Sequence, residues 1–319
     1  MLSRVAQNLY WLARYVERAE DTARLIGVTS NLLLDLPRTA GAAEWEPLIY
    51  ITGSHEGFRE HFTRPDEVSI VSFLTGDLRN SGSILSSLTY ARESLRTTRD
   101  VMPREAWEEL NRIYLFVRDH ISDGVSPRGR DYFLKQVVSG CQRFNGYLEG
   151  CMSYTPARDF VLLGRYLERA DMTTRILDVR SGNLLTQSGD LSPYASIQWM
   201  SVLRSLSGYQ MYRQAVRSRV RGPDVLAFLL QDTRFPRTVR HCLDRIADCL
   251  RELPQPETAL AQIARACAKT ESADVEALVT TGLHEFIDEL QVELGEVHNA
   301  INAAYFTYHE KETPPAAAA

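Results

Sequence analysis

Arginine and glutamate recur here at a spacing that could hold an anion or build a buried ion-pair network. The run Arg14-Tyr15-Val16-Glu17-Arg18-Ala19-Glu20-Asp21-Thr22-Ala23-Arg24-Leu25 returns 151 positions later as Arg165-Tyr166-Leu167-Glu168-Arg169-Ala170-Asp171-Met172-Thr173-Thr174-Arg175-Ile176. Seven of the twelve aligned positions are identical. Arginine offers a planar fork of N–H donors that fits carboxylate and phosphate. A doubled Arg/Glu set therefore supports two readings. In one, Arg14, Arg18, Arg165 and Arg169 receive an anionic group, with Glu17 or Glu168 as an acid/base. In the other, Glu17, Arg18, Asp21, Glu168, Arg169 and Asp171 cross-pair inside the protein. Removing one partner of such a buried pair typically costs roughly 3–5 kcal/mol, because the other charge is stranded. That penalty alone would hold these identities fixed, and the ion-pair reading is the one we favour.

Other chemistry finds less support. Di-iron sites in helical bundles use Glu-x-x-His on inward-facing helices, and none of the seven histidines has Glu three residues before it. His284-Glu285 is followed by Asp288 rather than by a second histidine, so the zinc-protease pattern is absent. No Gly-Lys-Ser/Thr loop is present, and no cysteine sits in a recognisable nucleophile motif. We expect no metal and no cofactor, and a non-catalytic role is favoured over an enzymatic one, with the enzyme kept as the alternative. Further arginines outside the motif are anion or partner candidates. Arg92, Arg96 and Arg99 fall at i, i+4 and i+7, which would be one face of one helix, and Arg237 opens a helix behind Pro236.

The element that must position the motif is a long amphipathic helix. At 100° per residue Leu9, Leu12, Val16, Ala19, Ala23 and Ile26 form one stripe, repeated by Leu163, Leu167, Ala170 and Leu177. The opposite side carries the charges, flanked by Tyr10, Trp11 and Tyr15, which implies that this face too is covered. A second repeated block, Phe73-Leu74, Asp77 and Arg79 against Phe228-Leu229, Asp232 and Arg234, lies at an offset of 155. Two collinear blocks imply a tandem duplication of the whole chain. The expected fold is all-α, a pseudo-two-fold helical bundle whose halves, 1–152 and 153–310, pack as one body, with a disordered tail at 311–319.

Helical periodicity predicts a helix from Ser3 to near Leu34, a connector at Pro37–Ala43, and a helix from Trp45 carrying Leu48, Ile49, Phe58 and Phe62. Further helices are predicted over Ser83–Arg99 and Tyr132–Met152, with a loop between them at Ser122–Gly129. After the second motif come a connector at Ser188–Ser196 and a last helix from Ala273 through Phe306. The 319 residues are 44% hydrophobic and 24% charged, ordinary for a globular protein. A net charge of −5 gives nucleic-acid binding no support. No apolar run spans a membrane and no signal peptide is visible. Five cysteines without a Cys-x-x-Cys pair read as reduced core residues, so the expected compartment is the cytoplasm.

The motif and its surroundings resemble the alpha-E family, all-helical bacterial proteins named for a Glu-Arg motif. The resemblance covers essentially the whole chain. It rests on Leu9-Tyr10-Trp11-Leu12 leading into Arg14–Asp21, on Ala91-Arg92-Glu93 with Arg96 and Arg99, and on Trp107-Glu108-Glu109-Leu110-Asn111. Gly164–Asp171 and Phe235-Pro236-Arg237 complete it; Met172 lacks the acid that Asp21 supplies. The resemblance implies a partnership with circularly permuted ATP-grasp ligases, often beside transglutaminase-like peptidases, and so a peptide or amide ligation system. It implies an accessory or substrate-presenting subunit acting on a peptide. The alternatives are a stand-alone enzyme with a buried Arg/Glu anion site and a purely structural helical scaffold.

Overall fold

In a computed structural model, residues 2–35, 45–186 and 195–307 are described, and these are helical with no strand among them. The first eight helices are α1 (Ser3–Asp35), α2 (Pro47–Ile51), α3 (His55–His61), α4 (Glu67–Thr75), α5 (Ile84–Arg96), α6 (Arg104–Asp119), α7 (Ile121–Val125) and α8 (Arg130–Cys151). The next eight are α9 (Pro156–Thr186), α10 (Ala195–Ser205), α11 (Tyr209–Ala215), α12 (Gly222–Gln231), α13 (Val239–Arg251), α14 (Glu257–Glu271), α15 (Val275–Thr280) and α16 (Leu283–Ile301). A π turn, Asn302–Phe306, follows α16.

The packing repeats with the order of the helices. Helix α1 lies on α5 and α8, as α9 lies on α13 and α16; α6 packs on α5 and α8, as α14 packs on α13 and α16. The motif helices α1 and α9 pack on each other at the middle. Their apolar stripes are buried as the periodicity predicts, and one hydrophobic core runs through both halves. The backbones touch at Gly164, where a Cβ would meet the Tyr10 carbonyl oxygen at 2.1 Å. Only a residue without a side chain allows that approach.

Side-chain caps mark where α5 and α13 begin. Ser83 accepts a hydrogen bond from the Ser86 N–H at the start of α5, and Thr238 accepts one from the His241 N–H at the start of α13.

Several boundaries differ from those predicted. The helix from Trp45 is broken into α2 and α3 by Thr52-Gly53-Ser54, where Gly53 has φ +64° and Thr52 Oγ1 donates to the Leu48 carbonyl at 2.8 Å. Helix α5 stops at Arg96, so Arg99 falls in a separate 3₁₀ turn, Arg99–Val101, and the three arginines do not share one helix. The predicted loop at 122–129 contains the short helix α7. Gly282, at φ +83°, separates α15 from α16 in what reads as one helix from periodicity alone. Cys141, Cys242 and Cys249 are buried as expected, but Cys151 is exposed. The Pro37–Ala43 connector, residues 188–194 of the second connector, and the tail at 311–319 lie outside the described residues.

Candidate functional site

The two motifs meet where α1 crosses α9, and each contributes its glutamate to the other's arginines. Glu168 accepts from Arg14 Nε and Arg18 Nε, both at 2.6 Å, and from Arg18 Nη2 at 3.2 Å. Glu17 accepts from Arg169 Nε at 2.7 Å and pairs with Arg237 Nη1 at 2.8 Å. Both carboxylates are essentially inaccessible, at 1% for Glu17 and 2% for Glu168. Burial alone would raise their pKa values. Arg169 and Arg237 outweigh it at Glu17, and Arg18 with Arg14 outweigh it at Glu168, so both groups sit at about 2. A carboxyl held that low has no proton to donate near neutrality, and both oxygens of Glu168 are already occupied.

Tyr10, Trp11 and Tyr15 close the charged face, as their place beside the charges implies. The Arg14 guanidinium lies 5.0 Å from the Trp11 ring centre. Tyr10 is fully buried, its hydroxyl 2.8 Å from His298 Nδ1, and burial pushes it up to about 12.

The two glutamates have unequal surroundings. Around Glu17 the acids Glu20 and Asp21 share Arg237, which donates to Asp21 Oδ1 at 2.7 Å and to Glu20 Oε1 at 3.0 Å. Arg24 also donates to Glu20, at 2.6 Å. One oxygen each of Glu17, Glu20 and Asp21 is buried without a hydrogen-bond partner. Burial raises Asp21 to about 7, with Arg237 opposing and Glu17 and Glu20 adding to the rise. Three carboxylates on one central guanidinium thus favour keeping one proton among them. Arg165, the counterpart of Arg14, is 7% exposed with Nη2 buried and unpartnered; burial and then Arg169 lower its pKa.

Around Glu168 the matching positions are Asp171, which pairs with Arg175 at 3.0 Å, and the apolar Met172. The residue matching Arg237 at the offset of 155 is Gly82 (237 − 82 = 155). Where Arg237 reaches into the α1–α9 crossing, Gly82 leaves open a cleft of about 420 Å³, lined by Arg18, Thr22, Glu168, Asp171 and Arg175 among others. Thr173 donates to the Arg237 carbonyl at 2.8 Å. Its counterpart Thr22 is fully buried, lines the cleft, and its hydroxyl has no partner. The signal for this difference lies in the sequence at the offset of 155, but as a mismatch, Gly82 against Arg237, beside the Phe-Leu, Asp and Arg matches at that offset.

The remaining arginine candidates do not join the centre. Arg92 donates to Asn111 at 2.8 Å, Arg96 pairs with Glu93 at 2.8 Å, and Arg99 stacks on Trp107 at 3.6 Å. The structure also gathers Asp178 of α9 with His284 and Asp288 of α16, with His284 Nδ1 2.6 Å from Asp178. Scanning for Glu-x-x-His along single helices does not find a set that comes from two. The hydrogen bond to Asp178 raises the His284 pKa.

An all-helical body organised on paired Glu-Arg helices defines the class. Residues 1–306 match Alpha-E, described as a predicted alpha-helical domain with a conserved ER motif, and the chain belongs to that family. It is similar to an uncharacterized protein of Mycobacterium bovis at 23% identity and to two of Mycobacterium tuberculosis at 23% and 22%, in each case over 310 residues. These alignments cover 90% of this chain and 34% of each relative, so the chain spans about a third of the length of the curated relatives it matches. No solved structure matches it significantly. No helix among the described residues is long and apolar enough to cross a membrane.

Proposed function

We propose that this protein is an accessory, substrate-presenting module of a bacterial peptide or amide ligation system, working in the cytoplasm beside a circularly permuted ATP-grasp ligase. The observation that carries the non-catalytic part of this reading is the state of Glu17 and Glu168. Both are buried, ionised and locked by arginines, Glu168 by Arg14 and Arg18 of the facing helix and Glu17 by Arg169 of the facing helix with Arg237 from the start of α13. The Glu-Arg motif then builds the body rather than performing a reaction. A module role fits relatives in which the similar stretch is 34% of a longer chain. The ATP-grasp partner and the peptide substrate rest on the family resemblance. We also read the repeated packing of α1–α8 in α9–α16 as a tandem duplication that gave one body.

The test is to purify the tagged protein from its source organism and identify what accompanies it. Stoichiometric recovery of an ATP-grasp ligase, with ATP consumption that needs both proteins and a peptide, is expected. ATP turnover or peptide cleavage by the isolated chain would overturn the reading. Glu17→Gln and Glu168→Gln sharpen it: as structural residues, both should lower the unfolding midpoint before any effect on a ligase partner is seen.

A further inference from the structure

We propose that the cleft at Gly82 is a binding site for a small organic oxyanion, a carboxylate or phosphate group held by Arg18 and Arg175 with the Thr22 hydroxyl. The inference is independent of any ligase partner, because it concerns this chain's own surface. Its volume of about 420 Å³ lies in the range of small-molecule sites and exceeds what a bare ion needs.

Thr22 supplies the most direct sign of a missing partner. Its hydroxyl is fully buried and unpaired, although its counterpart Thr173 is satisfied by the backbone of Arg237. A buried hydroxyl left unpaired costs free energy that a ligand would recover. Donor capacity points the same way. A guanidinium carries five N–H donors. Arg18 uses Nε and Nη2 on Glu168, leaving Nη1, and Arg175 uses Nε on Asp171, leaving both terminal nitrogens. The start of α5, with Ser81 and Gly82 on the cleft wall, adds the positive end of a 13-residue helix.

Charge decides between an anion and a cation placed where Arg237 sits in the other half. Around Glu168 stand Arg14, Arg18 and Arg175 against two carboxylates, Glu168 and Asp171, an excess of one positive charge. An incoming cation would enlarge that excess, and an anion cancels it. Both Glu168 oxygens are taken, and Met172 stands where Asp21 helps to hold Arg237, so no free carboxylate awaits a cation at the buried end of the cleft. At the mouth, Arg79 is paired with Asp77, and Glu56 is exposed, where water screens it.

The experiment is calorimetric titration of the full chain with glutarate and, separately, with glycerol 3-phosphate, using agmatine as the cationic control. Saturable one-to-one binding of either anion is expected, and the preferred arm tells carboxylate from phosphate. Arg175→Gln should weaken it about tenfold, the usual scale for a charged hydrogen bond, and Thr22→Val about threefold. Thr22→Val is nearly isosteric, so it decides the matter if Arg175→Gln fails to fold. Binding of neither anion, binding unchanged by Thr22→Val, or preference for agmatine would each overturn the proposal.

Discussion

The same twelve-residue motif is used twice in this molecule, and its two copies end in different electrostatic states. The Glu17 side is closed: Arg237 is inserted, three acids share it, and Arg165 Nη2 is left without a bond. The Glu168 side is open: two arginines of its neighbour helix satisfy the glutamate, and the place of Arg237 is a cleft beside Gly82. Across the crossing, Arg18 and Arg169 pair equivalently, each with the glutamate of the other helix, whereas Arg14 bonds Glu168 and its counterpart Arg165 keeps Nη2 unpartnered. What surrounds each pair is set by residues outside the motif, chiefly position 82 against position 237. A recurring signature here goes with recurring packing, and the two sides differ where the sequences around it disagree.

The sharpest way to break the comparison is Arg237→Gly, which gives the closed side the residue of the open one. It strands Asp21 and leaves Glu17 to Arg169 and Glu20 to Arg24 alone, and a loss of roughly 3–5 kcal/mol in urea unfolding is expected; a loss below about 1 kcal/mol would mean that the three acids do not depend on it. Gly164→Ala should cost about 1–3 kcal/mol by forcing the motif helices apart, whereas at the matching position Ala13→Gly costs only the helix propensity of one residue, about 1 kcal/mol.

Titration sets Asp21 of the closed side apart from both glutamates by sign. Asp21 at about 7, above its ordinary 3.8, keeps a proton in the folded state that the unfolded chain releases. Its contribution to stability therefore falls as pH rises through that interval. Glu17 and Glu168, held at about 2 against an ordinary 4.5, contribute stability that is lost as pH falls through that window. Asp21→Asn should flatten the profile on the neutral side and leave the acid limb intact, read from unfolding midpoints measured between roughly pH 3 and 8. A tenfold difference in proton affinity between folded and unfolded chains corresponds to roughly 1.4 kcal/mol on that profile. The smallest effect is expected for Gly82→Arg. Its backbone is not left-handed, and its first neighbours are Asn80 Oδ1 at 3.3 Å and Arg18 Cδ at 4.0 Å. A stability change within about 1 kcal/mol is expected, and it should block the cleft.

The long helices and their stripes are legible in the sequence because α1 and α9 bury whole faces, and burial writes itself into the chain as a period of 3.6. The pairing of Glu17 and Glu168 with arginines is legible as chemistry, though not which arginine serves which acid. The breaks are less so. Gly53 and Gly282 carry positive φ, and nothing in the periodicity on either side announces a turn. Arg92, Arg96 and Arg99 read as one face because the stop of α5 at Thr97 depends on local backbone bonds rather than on hydrophobic pattern. Arg237 is visible as a cation, but its target lies more than two hundred residues away, and only the fold brings them together.

That separation bears on how the chain is made. The bonds from Arg237 to Asp21 and Glu20 join residues 216 and 217 positions apart. At typical synthesis rates of about 5–20 residues per second, the acids of the first helix are made roughly 10–40 s before Arg237 exists. During that interval water must solvate them, and α1 cannot bury its polar side. The polar layer between the two halves is therefore completed only when the start of α13 has been made.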